Sequence, residues 1–351
     1  MTSLFGLIQL PAQRLICPSC KKSSTILKDT SLDHSGFTPA ALERVVHLCV
    51  HQTFQEASET LNLFTWYVND ALLERVVSGF ATQALKQVSE ILETRALQPL
   101  EQLKAGQQPK ITVLETDGVF TLGRPENPNE TGCPGREIKM ALVHSSSTST
   151  DRFMVADHCE IDAFEPLVHG LLRHAGHRTG DVLVGVGDGG CWVQRIFEAV
   201  QAIRILDVYH ALEYVEVVMI ALGWDQALRL EERRLWCAGK VDGSVWLRTF
   251  DAGIASRAGW DEVAIKAWAY LERFSSLGAM AYPSFRARGF PIGSGEVEGA
   301  NKAVIGSRMK RSGMHWSRAG ARRMSCLRAQ VKSRVRVYDF HQVRHQAFHT
   351  W

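Results

Sequence analysis

No apolar run in this 351-residue chain approaches the ~20 residues that a membrane helix needs, which excludes a membrane-spanning helix. The first fifteen residues, MTSLFGLIQLPAQRL, lack both an early basic cluster and a small-residue cleavage site, which argues against secretion. Cysteine is sparse: of eight, only Cys17 and Cys20 stand at a recognisable spacing. That excludes a disulfide framework and fits a reducing, cytoplasmic setting. Acidic residues are missing altogether from Gly299 to Tyr338, where eleven Lys or Arg occur. Residues 1–300 hold 28 basic against 36 acidic residues, so a cationic segment ends an otherwise acidic chain. Such a segment is a footprint of a phosphate-backbone partner, and it also suits a solvated helix face.

What is present describes a globular protein, with 45% apolar and 22% charged residues and length for two or three domains. Residues 1–36 carry the Cys17-Pro-Ser-Cys20 knuckle, half of a zinc ribbon. Tetrahedral zinc needs four ligands, no second CxxC exists, and His34, His47 and Cys49 stand at poor spacing. Either Cys17 and Cys20 bind zinc with such partners, or they are a remnant or two free thiols. Residues 37–105 read as helices. Thr38 is placed to cap the first, with Pro39 at its first position; TFQEASETLNL and WYVNDALLERVV follow. Helix, short helix, turn and longer helix is the order of a helix-turn-helix, whose last helix would enter a major groove.

From 106 to 340 the pattern changes to strands. ITVLETD (Ile111–Asp117), EIKMALVH (Glu137–His144) and RFMVADH (Arg152–His158) precede an amphipathic helix, then VLVGVGD, a helix and IRILD. Three strands, helix, strand, helix, strand is the ribonuclease H-like order, the first three an antiparallel meander and the last two parallel to the first. The expected fold is therefore α/β, a ribonuclease H-like mixed sheet flanked by helices. It carries an all-helical insertion at about 211–284, the N-terminal helix-turn-helix region, and a tail at 341–351.

Carboxylates cluster where such a sheet does chemistry. Asp117 and Asp188 each end an apolar run and precede glycine, and strand ends are where open α/β sheets place their sites. A third acid comes from PIGSGEVEGANK (Pro291–Lys302). Glu296 and Glu298 point about 200° apart on a helix, and Glu298 falls inside the stripe formed by Val297, Ile305 and Met309. A carboxylate directed inward needs a partner such as a cation, and an all-oxygen pocket suits two Mg²⁺ or Mn²⁺ ions. Lys302 follows one turn later, able to meet a phosphate or pair with Glu298. Asp207 also ends a strand, so it stands as an alternative second ligand. His210 reads either as a group within reach of a phosphate or as a structural hydrogen-bonder.

The blocks ETDG, VGDGGCWV, ILDVYHALEYV and PIGSGEVEGANKAVIGSRMKRSGMHWS resemble insertion-sequence transposases of the ISKra type, akin to Mutator-like elements. The similarity spans roughly residues 37–340. It implies an Asp-Asp-Glu catalytic and metal-binding triad of Asp117, Asp188 and Glu298, with Asp207 and His210 as the motif between the second and third acids. It also implies divalent-metal-dependent cleavage of element ends and strand transfer into target DNA, by a homo-oligomer on double-stranded DNA in a prokaryotic nucleoid. Lys302, Arg308, Lys310, Arg311, Arg318, Arg322 and Arg323 are the expected DNA contacts. Such transposases carry a complete zinc ribbon, from which this N-terminus departs. The rival readings are a nuclease or resolvase on the same fold and a non-catalytic DNA-binding remnant.

Overall fold

The apolar runs around ITVLETD and VLVGVGD become the centre of one sheet. A computed structural model of the chain describes residues 35–64, 66–127, 129, 132–145, 151–251 and 259–348, with pieces at 2–3, 6–7, 12–16, 18–21 and 23–27. The main strands are β1 (Ile111–Leu122), β2 (Gly135–Ser145), β3 (Arg152–Asp157), β4 (Val182–Gly187) and β5 (Ile203–Leu206). They lie in the order β5-β4-β1-β2-β3. β1, β2 and β3 run antiparallel, while β4 is parallel to β1 and β5 to β4. That is the strand order and direction expected from the sequence.

One boundary differs. The sequence suggests that Gly118 turns the chain, but β1 continues through it to Leu122, paired without a break to β2 (Asp117↔Met140, Gly118↔Lys139). It is β4 that stops, its last partner on β1 being Glu115. β2 supplies a partner long enough to keep β1 extended, which overrides the glycine's local preference for a turn.

Side-chain alternation divides the core. Leu114, Ala141, Val143 and Val155 face one layer of helices: α1 (Pro39–His51), α3 (Asp70–Ala96), α4 (Ile161–His174) and α5 (Cys191–Ala199). α2 (Phe54–Leu63) lies between α1 and α3. Thr38 caps α1 and Pro39 opens it; Thr53 and Glu56 form a capping box on α2, each cap satisfying amides that the helix itself cannot. The 27-residue α3 crosses α4 so closely at Gly170 that a Cβ there would stand 2.0 Å from the Leu92 carbonyl. The helices at 39–96 thus share a core with the sheet.

Val113, Val184, Val186 and Ile205 face the opposite way, onto the helices that follow β5. These are α6 (Val208–Ala221), α7 (Gln226–Cys237), α8 (Gly243–Asp251), α9 (Glu262–Ser276) and α10 (Tyr282–Ala287). Trp236 and Trp268 are wholly enclosed there. On the same face Ile138, Met140 and Leu142 pack against the C-terminal segments. Those are α11 (Gly295–Asn301), a π-helical turn (Lys302–Gly306), α12 (Ser307–Met309) and α13 (Arg318–Lys332). α14 (Phe340–Phe348) returns to α3. No helix among the described residues is long and apolar enough to cross a membrane. Of the zinc pair, Cys17 lies outside the described residues and Cys20 is exposed.

Candidate active site

Two residues apart on β1, Glu115 and Asp117 share the face that α11 covers. Glu115 is buried at 1% exposure. Its Oε1 meets His144 Nε2 at 3.2 Å, and its Oε2 accepts the Val297 N–H at 2.7 Å. Asp117 lies just past the point where β4 leaves the sheet. Its Oδ1 accepts the Gly118 N–H at 2.7 Å and its Oδ2 accepts Asn301 Nδ2–H at 2.6 Å. Burial raises the Asp117 carboxyl above its ordinary value, and the nearby charge of Asp188 adds to that.

Asp188 follows β4 in a turn through Gly189, whose φ is +83°. A Cβ at Gly189 would meet Tyr270 Oη at 2.5 Å, so glycine is needed there both for the backbone and for the space. Tyr270, on α9, donates to the Asp188 carbonyl, and the Asp188 carboxylate accepts the Gly190 N–H at 2.9 Å. The helices after β5 therefore brace this turn.

Asp207 ends β5, caps α6 and is completely buried. Oδ1 accepts from the amides of Tyr209 (2.6 Å) and His210 (3.1 Å), while Oδ2 accepts from the amide and hydroxyl of Ser294. Burial pushes this carboxyl up, but the hydrogen bonds outweigh it and hold it at about 2. Its oxygens are committed to donors, which makes Asp207 the strap that ties the loop opening α11 to β5.

His210 Nδ1 stands 3.7 Å from Asp207 Oδ1, a charge contact rather than a hydrogen bond. That carboxylate, helped by Asp188 and Glu213 and opposed by burial, raises His210 to about 9. That pull favours the charged imidazolium, whose positive charge lowers Asp117 in return.

Glu298 is half-buried, and its carboxylate lies within 4.8 Å of ligand atoms of both Asp207 and His210. These three are the only His, Cys, Asp or Glu residues among those described that gather so tightly. Glu296 points elsewhere, forming an exposed ion pair with Arg152 at 2.6 Å. Asp207, His210 and Glu298 thus form one group, and Asp117 and Asp188 stand outside it but within reach of its charge. Asp117 and Asp188 couple through charge to His210, and His210 to Asp207 and Glu298 through proximity.

Glu115, His144, Asn301 and Tyr270 are absent from the sequence-based set. Glu115 was readable, since a residue two before Asp117 on a strand shares its face. Asn301 sits one helical turn beyond Glu298, also a readable spacing. Nothing in the sequence pointed to His144 or Tyr270, which arrive from other elements.

The cationic segment behaves differently from its charge. Arg308 was expected on DNA but is 1% exposed. Its guanidinium stacks over Phe54 and Trp316 and donates to the Cys49 carbonyl. Arg328, also enclosed, donates to the Val304 and Ala303 carbonyls and to Ser307 Oγ, serving carbonyls of the π-helical turn. Arg311 pairs with Glu56, Arg318 with Glu126, and Arg322 with Asp157 through two bonds of 2.8 Å. Arg323 is half-buried beside Thr82. Lys302 and Lys310 are exposed. Much of the positive stretch is neutralised by acids from the body of the fold.

No family model matches the sequence. A protein of Streptococcus gallolyticus described as "UPF0236 protein in vanSb 3'region" is 23% identical, over 96% of this chain and 74% of its own length. Two solved structures, the Mos1 strand transfer complex and a pre-cleavage Mos1 transpososome, are each 11% identical. They align with 70% of this chain and 77% and 78% of their own, at TM-scores of 0.17 and 0.18. Overlap that low leaves the description of the fold to the sheet itself.

Proposed function

We propose that the chain is a DNA transposase of the Asp-Asp-Glu type on a ribonuclease H-like sheet, with Asp117, Asp188 and Glu298 as its catalytic carboxylates. The observation that supports this reading is the gathering of Glu298 with Asp207 and His210 under α11, with Asp117 and Asp188 near enough to act on one another and on His210 through charge. The sequence blocks that resemble ISKra-type transposases are built around the same residues. The donor set is rich in carboxylate oxygen, and the burial and mutual repulsion that raise Asp117 are relieved by a bound cation. It therefore fits Mg²⁺ or Mn²⁺, and Asp117, Asp188 and Glu298 would hold two such ions. Bound there, divalent ions lower the pKa of an attacking water or DNA 3′-hydroxyl and neutralise charge on the phosphodiester.

The chain's own groups do the rest. Asp207 fixes the loop that presents Glu298 and favours the protonated form of His210. His210 offers positive charge to a phosphate or departing oxygen within reach. Lys302 and Lys310 face solvent and are placed to hold backbone phosphates. The helices α1, α2 and the start of α3 supply end recognition, and two or more copies assemble on a pair of element ends. The test is cleavage of a labelled duplex carrying the terminal repeats that flank the coding sequence. Chelation, Asp117→Asn or Asp188→Asn should each abolish cleavage and leave the gel shift intact. Cleavage surviving either substitution removes that carboxylate from the site.

A further inference from the structure

Asn301 is 5% exposed, and its two amide atoms have unlike surroundings. Nδ2–H donates to Asp117 Oδ2 at 2.6 Å, whereas Oδ1 has no hydrogen-bond partner among the described residues. That bond sets the orientation of the amide, since an oxygen facing the carboxylate would be repelled. A buried carbonyl oxygen left unmatched is costly, and natural structures rarely leave one without water, an ion or a ligand. The amide sits beside the Asp117 carboxylate through Nδ2, one turn beyond Glu298 on the same short helix, where the chain passes into the π-helical turn. Local π-helical geometry recurs at functional sites because it re-aims side chains. Here it is held by Arg328, whose guanidinium binds Val304 and Ala303 carbonyls.

We propose that Asn301 belongs to the cation site: its Nδ2–H fixes Asp117 and its Oδ1 supplies a neutral oxygen ligand to the divalent ion that Asp117 binds. The assignment rests on the two-metal reading above and adds to it a ligand that carries no charge. Amide oxygens are ordinary ligands of hard cations. A neutral one completes the coordination without adding to the repulsion already present between Asp117 and Asp188.

The test is Mn²⁺ binding by the full chain without DNA, read from the free-Mn²⁺ EPR signal, with thermal unfolding measured with and without the ion. Asn301→Leu removes both polar atoms and should weaken Mn²⁺ binding at least about tenfold, the loss expected when a metal ligand or its partner is removed. Asn301→Asp keeps an oxygen toward the ion and adds charge. It should bind Mn²⁺ at least as tightly as the parent, while unfolding at a lower temperature than the parent when the ion is absent. Asn301→Asp binding as weakly as Asn301→Leu would make the N–H donor the residue's whole role and overturn the ligand assignment. Parent-like Mn²⁺ binding by Asn301→Leu, with binding lost in Asp117→Asn, would overturn it too while leaving the carboxylate reading in place. No Mn²⁺ binding by the parent chain would end both.

Discussion

Glu115 Oε2 accepts the Val297 N–H at 2.7 Å, joining the strand that carries Asp117 to the helix that carries Glu298 across 182 positions of sequence. The other oxygen of the same carboxylate meets His144, so one buried side chain holds a strand, its neighbour and the covering helix.

Breaking that link should cost stability as well as geometry. Glu115→Ala leaves His144 and the Val297 amide without their partner in a closed interior, and removing one member of a buried pair costs about 3–5 kcal/mol. Glu115→Gln keeps an acceptor for Val297 and should lose less. Urea denaturation of both variants measures the difference, and equal losses would mean that the ion pair, not the amide bond, carries the effect.

The His210–Asp207 pair sets a pH window. His210 is raised from 6.5 to about 9, so its contribution is complete below 6.5 and disappears as pH climbs through 9. Asp207 is lowered from 3.8 to about 2, so its contribution is complete above 3.8 and is lost as pH falls through 2. In chelator, the denaturation midpoint should therefore decline between pH 6.5 and 9. His210→Gln should flatten that alkaline decline, and an unchanged decline would place the titration on another group.

Binding and folding should separate within the cationic segment. Neutralising Lys302 and Lys310 together should leave stability near the parent value. If each meets one phosphate, the slope of log affinity against log salt falls by roughly 0.9 per residue. Arg308→Ala should instead destabilise by about 2–4 kcal/mol, because it empties the space between Phe54 and Trp316. Salt titrations by fluorescence anisotropy and a thermal melt distinguish these. A stable Arg308→Ala with weakened DNA binding would return that residue to the DNA path.

The sheet was legible because its signals are local. Alternating apolar residues in ITVLETD and EIKMALVH fix which face each side chain takes, and the order of strands and helices leaves few topologies. The length of β1 was not legible, because pairing with β2 rather than Gly118 decides where the strand ends. Asp188 and Glu298 could be picked as candidates from a strand end and a helical stripe, whereas the strand end that pointed to Asp117 lies at Leu122 in the structure. Asp207's commitment to Ser294 could not, since its partner lies 87 positions away. Charge was the least reliable guide. A run of arginines says nothing of the acids, Glu56, Glu126 and Asp157, that fold back to meet them.

The central claim, that Glu298 is a metal-holding carboxylate of a DNA-cleaving site, is tested most directly by comparing Glu298→Gln with Glu296→Gln on one labelled end fragment, scoring gel shift and Mg²⁺-dependent cleavage together. Glu296 is an exposed partner of Arg152, and such surface pairs contribute only about 0–1 kcal/mol, so it serves as the control. Glu298→Gln should abolish cleavage and leave end binding intact or slightly tighter, because a carboxylate facing phosphates repels them. Glu296→Gln should cleave like the parent. Full cleavage by Glu298→Gln, with or without loss in Glu296→Gln, would contradict the account.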